Sequence, residues 1–344
     1  QNTKSETFSV FASMEIELME DLILAGGARY TDESKTSRIS VPFQHAFLAG
    51  SGAFLPSGFF SGPIDFDDDN ISPEVTLRYQ LADDISVFAA YKTGFKSGGI
   101  DVSALPTASL DVSRQTGDFS DIIFASEESE GFEAGIKSEL FGRQLRLNVT
   151  AYRYEYSDLQ IQLFDPVAIQ FNTLNASEIT TTGIDADFVW STPLDGLSLS
   201  GALSFLDAEY SADFFPLGPT NDNLRGRASR NAPDFSGNVG FDFEMPVGAL
   251  KFGLSGNAAY SGAYFVAEES LADPVQDDFV LFDAALFIGR DDARRRLTLA
   301  AVNLTDKLVR TSVTGRPFLT PTGDDTIVSF NRGRQVFAEV SFTF

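Results

Sequence analysis

Amphipathic segments in this sequence are joined alternately by very short and by long connections, and that strict alternation constrains the fold more than any other feature. Segments with period-two patterning run over roughly 6–18 and 21–36, 71–82 and 84–97, 127–140 and 143–163, 177–192 and 197–211, 230–246 and 249–266, 277–290 and 295–311, with a last one at 331–344. The tight links are Met19-Glu20, Asp83, Phe141-Gly142, Pro193 to Gly196, Pro246 to Gly248 and Asp291 to Arg294. They are built largely from Gly, Pro and Asp, as hairpin turns require. The long links fall near 37–70, 98–126, 164–176, 212–229, 267–276 and 312–330. A soluble sandwich mixes long and short links at both ends, whereas a membrane barrel keeps short turns on one side and projects long loops from the other.

Within the segments, apolar and polar residues take opposite faces. Val336, Ala338, Val340, Phe342 and Phe344 share one side of the last segment, and Phe337, Glu339, Ser341 and Thr343 the other. Leu145, Leu147, Val149 and Ala151 oppose Arg146, Asn148 and Thr150 in the same way, and Ile184, Ala186, Phe188 and Trp190 oppose Asp185 and Asp187. Charges on the polar face suit a water-filled lumen or an exposed sheet face, not a sandwich core. Most segments exceed ten residues, which fits a tilted membrane strand of about 9–11 residues better than a globular strand of about 5–6. Tyrosines such as Tyr152, Tyr154, Tyr156, Tyr260 and Tyr264 are expected to mark an interfacial girdle. The fold class this predicts is an all-β, transmembrane, antiparallel up-and-down barrel wall of about thirteen strands. A sandwich or surface-adhesin repeat is the competing reading.

Composition removes whole classes of chemistry. No apolar run reaches the ~18 residues of a membrane helix. Zero cysteines exclude disulfides, thiolate metal sites and cysteine nucleophiles, and one histidine, His45, leaves neither a catalytic triad nor a transition-metal centre well supplied. With 25 basic and 49 acidic residues, the net charge of −24 argues against nucleic acid as a partner. No enzymatic activity is expected.

Three stretches carry a family resemblance. The run from Asp21 to Glu33 (DLILAGGARYTDE) resembles the "L…GxRYTDE" strand of TonB-dependent receptors, and Phe88 to Gly99 (FAAYKTGFKSGG) resembles their "YxxGFKSGG" strand and loop start. Val302 to Lys307 (VNLTDK) resembles the family's "xNLxDK" segment, followed in order by Gly333-Arg334 and a terminal strand. Val340, Phe342 and Phe344 resemble the C-terminal outer-membrane assembly signal, although a last strand with one buried face would read alike.

The resemblance implies an outer-membrane protein for active uptake of a scarce nutrient such as a ferric siderophore, in contact with outer-membrane lipid and lipopolysaccharide. It also implies energy coupling to the TonB-ExbB-ExbD complex through a plug. Neither a plug nor a TonB box is legible in these residues, so residues 1–344 read as the C-terminal part of a barrel of twenty-two strands, with about nine strands and the plug expected before Gln1. A passive channel of fourteen strands, with one more strand inside 98–126, is the alternative. In loops, Arg225, Arg227, Arg230 and Arg316 are candidate contacts for an anionic ligand, through guanidinium–carboxylate pairing. Arg225, Arg227 and Arg230 could instead pair with acids such as Asp222 and Asp234. Asp65, Asp67, Asp68 and Asp69 with Asn70 form an oxygen-rich stretch that reads either as a structural Ca²⁺ loop, through Asp65, Asp67 and Asp69, or as a solvated acidic loop. No other cofactor is expected.

Overall fold

A computed structural model describes residues 2–43, 57–101, 119–165, 170–216, 222–268, 275–290, 295–315 and 326–342. Thirteen strands form one continuous antiparallel sheet in sequence order. They are β1 (Asn2–Met19), β2 (Leu22–Arg38), β3 (Ile64–Ala82), β4 (Ile85–Lys96), β5 (Glu127–Leu140), β6 (Leu145–Ser157), β7 (Ile179–Ser191), β8 (Leu197–Tyr210), β9 (Phe235–Val247), β10 (Leu250–Ser261), β11 (Phe279–Arg290), β12 (Arg295–Val302) and β13 (Gln335–Phe342). β4 pairs with β5 directly, from Ile85↔Ser138 to Lys96↔Glu127. No gap therefore remains there for a strand from residues 98–126, and the described part of that stretch contributes only Gly99–Ile100 and Ile123–Phe124, paired with each other outside the wall.

Register carries the two faces unbroken from strand to strand. One rung of cross-strand pairs links Leu24, Leu77, Ala89, Ala134, Ala151, Ile184 and Phe205, and a second links Phe243, Leu254, Leu286, Leu299 and Ala338. Because side chains alternate with period two, a one-residue slip anywhere would turn a strand's apolar set inward. The opposite face carries Arg78, Lys92, Glu133, Asn148, Asp187, Asn238 and Asp283. Phe132, Leu254, Leu286 and Val340 stand in the open on the outward face, so the chain does not bury its apolar wall within itself. A face this long, apolar and uncovered requires an apolar medium.

Above the apolar belt an aromatic edge forms from cross-strand neighbours. Ring centroids lie 5.0 Å apart for Tyr91 and Phe132, 4.7 Å for Phe205 and Phe235, and 5.7 Å for Phe235 and Tyr260. Tyr152, Tyr154 and Tyr156 are not part of this girdle. They share the inward face of β6, opposite Gly183, Thr181 and Ile179, because they fall on the even positions of a strand whose odd positions are Leu145, Leu147, Val149 and Ala151.

The buried core sits at the long-loop end. Ile39, Ile64, Ile100 and Ile122 make one cluster, while Ile161, Leu163, Ala176, Ile179, Tyr210, Phe214 and Leu224 make another. Val266, Ala267 and Val313 make a third. Small hairpins build these caps: Gln160–Asp165 with Gln170–Asn175, and Arg310–Gly315 with Thr326–Phe330. The sequence patterning had run β6 on to 163 and β12 on to 311. The chain breaks instead at Asp158 and Asn303, both at positive φ (53° and 52°).

Candidate ligand-facing rim and lumen

Polar residues of the inward face are connected to one another. Lys92 Nζ donates to Glu133 Oε2 at 2.8 Å, and the Tyr154 hydroxyl donates to Oε1 of the same carboxylate at 2.6 Å. Asn148 donates to both oxygens of Asp187 at 3.1–3.2 Å, with Arg146 4.0 Å away, and the Ser204 hydroxyl donates to Asp185 at 2.7 Å. Asn148 and Asp187, and Ser204 and Asp185, are direct register partners, while Lys92 and Tyr154 reach Glu133, and Arg146 reaches Asp187, diagonally from adjacent strands, so one sheet geometry sets all of them. A charged, hydrogen-bonded inner surface suits water and polar solutes, not hydrocarbon.

At the loop end the basic cluster divides. Arg230 Nε lies 3.7 Å from Glu268 Oε1, and the Glu268 side chain is only 2% exposed. The Tyr210 hydroxyl also donates to Glu268. The Arg227 guanidinium stacks 4.1 Å from the Phe265 ring centroid and donates to the Ala267 carbonyl at 2.8 Å. Both residues therefore fasten the segment after β8 to the segment after β10. Arg225 is different, since it is 63% exposed and pairs with Asp213 at 3.6 Å. Of the three, Arg225 points a solvated guanidinium outward. Hydrogen bonding from Asn223, aided by Arg225, holds the Asp213 carboxyl below the usual aspartate range. Burial, reinforced by Glu268, pushes the Tyr210 hydroxyl well above the ordinary tyrosine value, against the pull of Arg227 and Arg230.

Pairing with acids near in sequence, such as Asp222 and Asp234, is one expectation for these arginines; the structure pairs Arg225 with Asp213 and Arg230 with Glu268. Glu268 and Tyr210 carried no local signal, since they meet across 58 residues of sequence. Arg316, His45 and Phe344 lie outside the described residues, while Val340 and Phe342 take the outward face of β13.

Asp65, Asp67 and Asp69 are not in a loop. They lie in β3, paired with Thr36, Ser34 and Asp32. Extended geometry spaces alternate residues about 6.6 Å apart in file, whereas a Ca²⁺ loop curls its ligands around one point. Among the described residues no group of three acidic or histidine side chains is placed to hold a metal ion. Asp65 accepts from the Thr36 hydroxyl at 2.7 Å, and Asp68, on the inward face, accepts from Ser126. Glu127, Glu128 and Glu130 do mark a strand entry, at the start of β5, where Glu127 meets Lys96 at 3.4 Å and Glu128 accepts from Asn70 at 3.0 Å.

The motif stretches become loop anchors. Lys35 Nζ donates to the Gly98 carbonyl at 2.5 Å and to the Ser97 hydroxyl at 3.2 Å, pinning the turn out of β4. Gln160 then donates to the carbonyls of Lys96, Ser97 and Ala125.

An apolar outer face, a polar inner face and an elaborated loop end define a transmembrane β-barrel wall. The chain matches the family model described as TonB dependent receptor-like, beta-barrel, over residues 1–304. It belongs to that family. Among curated relatives it is 22% identical over 188 residues to the pesticin receptor of Yersinia enterocolitica serotype O:8, covering 55% of this chain and 24% of that receptor. It is 25% identical over 181 residues to the metal-pseudopaline receptor CntO of Pseudomonas aeruginosa, covering 52% of this chain and 22% of that one. The fold resembles that of the ferric yersiniabactin uptake receptor FyuA of Yersinia pestis, with a TM-score of 0.75 at 17% identity over 99% of this chain and 46% of that one. The siderophore receptor PiuA of Acinetobacter baumannii gives a TM-score of 0.68 at 18% identity, covering 99% and 43%. The chain thus spans under a quarter of the curated relatives and under half of the solved receptors it matches.

Proposed function

We propose that this chain is a wall section of an outer-membrane receptor that takes up a scarce nutrient actively, with a ferric siderophore as the cargo class. The observation that carries this is the family match over residues 1–304, joined to relatives named for pesticin, metal-pseudopaline and ferric yersiniabactin. Register supports the membrane half of the reading, because an apolar belt continues across all thirteen strands with a polar lumen behind it. On this reading the belt meets outer-membrane lipid and lipopolysaccharide, the loop end meets the cargo, and energy arrives from TonB-ExbB-ExbD through a plug supplied outside these residues. Exposed Arg225 is the loop cation best placed for an anionic chelate.

The test uses the full-length gene product in its own host. Uptake of iron-loaded siderophores is measured with the gene intact, deleted, and intact in a strain lacking TonB. Uptake lost in both altered strains supports the reading. Uptake that survives loss of TonB but not of the gene would replace it with a passive channel, and uptake indifferent to the gene would remove siderophores as cargo.

A further inference from the structure

Two loop hairpins meet although the strands that carry them do not. Gln160–Asp165, from the connection of β6 to β7, approaches Arg310–Gly315, from the connection of β12 to β13. In the sheet β7 and β12 are five strand spacings apart, which puts about 24 Å of wall between them at about 4.8 Å each. The first hairpin leans over the inner side of the rim, because Ile161 and Leu163 share one core with Ile179 and Tyr210, both at inward register positions. The second packs Val313 with Val266 and Ala267, beside Tyr264, whose ring lies 6.5 Å from that of the inward Phe279. Meeting on the inner side, the pair spans the mouth above β8 to β11.

Both feet of the span are fastened. The Gln160 amide donates to Glu127 at 2.8 Å, and its side chain holds the carbonyls of Lys96, Ser97 and Ala125. Asn175, in the partner strand of that hairpin, accepts from the Ala125 amide at 2.7 Å and donates back to the Ala125 carbonyl at 2.9 Å. At the other foot Gln276 accepts from the Arg310 amide at 2.7 Å, and Arg310 donates to the Val275 carbonyl at 2.8 Å. Leu163 is fully buried and Val313 is 2% exposed. Segments that open readily have few buried apolar contacts and solvated backbone hydrogen bonds, and these hairpins have the opposite character. We propose that the two hairpins form a fixed strap across the mouth, closed throughout a transport cycle, so that cargo enters the lumen beside the strap and not beneath it. The route rests on the uptake reading, whereas the permanence of the strap does not.

The experiment uses the full-length gene product in whole cells, where introduced thiols have no cysteine to compete with in residues 1–344. Leu163→Cys and Val313→Cys are each labelled with a membrane-impermeant maleimide, and Gln162→Cys, at an exposed position, is the reference. Heat-modifiable migration confirms that each variant is folded, and either buried position suffices if the other variant fails to fold. Labelling of the buried positions is expected to run roughly tenfold slower than the reference, equally with and without TonB. Labelling as fast as the reference, or labelling that speeds up only when TonB is present, would overturn the strap. In a second arm one cysteine within 160–165 and one within 310–315 are oxidised in pairs, and uptake of the host's own secreted siderophore, loaded with radioactive iron, is measured before and after reduction. Linked protein is expected to import at the reduced rate unchanged. Import lost on linking and restored by reductant would overturn the proposal, as would failure of every pair to link. Absence of import by the reduced protein as well would count against the uptake reading, and the labelling arm then decides the strap.

Discussion

The carboxamide of Asn303 closes a loop on Lys307 from both directions: its Oδ1 accepts from the Lys307 amide at 2.9 Å while its Nδ2 donates to the Lys307 carbonyl, also at 2.9 Å. Its own amide donates to Asp283 at 2.8 Å, its side chain reaches the Arg332 carbonyl at 3.3 Å, and the residue is 3% exposed. Positive φ at this position suits asparagine, whose side chain tolerates the left-handed region. Asn303→Ala should destabilise by roughly 2–4 kcal/mol, from buried backbone groups left unsatisfied and from the backbone conformation. Chemical denaturation of the folded protein in detergent measures the loss, and hydrogen exchange should rise first at the Lys307 amide. A loss confined to within 0.5 kcal/mol would contradict the role given to this turn.

Paired glycines make room for rings. Phe88 Cε1 lies 2.6 Å from where a Cβ on Gly135 would sit, and Gly135 is the register partner of Phe88. Gly135→Ala should therefore displace the ring and cost about 1–3 kcal/mol. Gly62, with nothing within 4 Å of its Cβ position, is the control, and Gly62→Ala should be neutral within about 0.5 kcal/mol. Denaturation midpoints of the two variants give the comparison.

Neighbouring positions on β8 separate the two faces. Leu203 pairs outward with Ala186, and Ala202 pairs inward with Asp187. Leu203→Arg should lower stability in the membrane by about 2–4 kcal/mol, whereas Ala202→Arg should be tolerated and meet Asp187. Equal folding yields for the two in vesicles would contradict the assignment of faces.

Tyr210 and Glu268 give a pH dependence at high pH. The folded state raises the Tyr210 pKa, chiefly by burial, so the stability tied to its neutral hydroxyl is complete below about pH 10 and is lost as pH climbs beyond. Loop protection from proteolysis should fall in that alkaline range in wild type, and Tyr210→Phe should show the weaker protection at neutral pH with no alkaline step. Persistence of the step in Tyr210→Phe would assign it elsewhere.

Asp213 works in the opposite sense. Its pKa is held below 3.8, first by the Asn223 amide and then by Arg225, so its contribution is present above the ordinary carboxylate value and disappears as pH falls through the lowered one. Asn223→Ala should flatten the acid loss of loop protection below about pH 4, because the hydrogen bond that lowers the pKa is gone. The same acid profile in both proteins would rule this out.

Wall strands were legible because each carries its own period-two signal and most short turns carry a Gly, Pro or Asp. Leu145 to Ala151 against Arg146 to Thr150 is enough to orient β6 without knowing its neighbours. That same strand shows the limit: Tyr152, Tyr154 and Tyr156 are aromatic enough for a girdle, and only their parity sends them to the lumen beside Gly183 and Glu133. The loop end was largely illegible. Asp65, Asp67, Asp68 and Asp69 read as a loop because charge dominates local propensity, yet pairing with β2 keeps them extended. The partners of Arg227 and Arg230 were illegible because Glu268 and Phe265 lie far along the chain. Asn303 and Lys35 stood inside recognised motifs, but the contacts that make those residues necessary are tertiary.

Thirteen antiparallel strands leave the two outermost, β1 and β13, running in the same direction. Such walls lengthen or shorten by hairpins, two strands at a time, and a step of two never changes odd to even. Repeated hairpin duplication or loss within this segment would therefore leave its two rims unable to meet in antiparallel pairing. Closing such a sheet with antiparallel neighbours throughout takes an odd number of further strands, which no gain or loss of whole hairpins within this segment can supply.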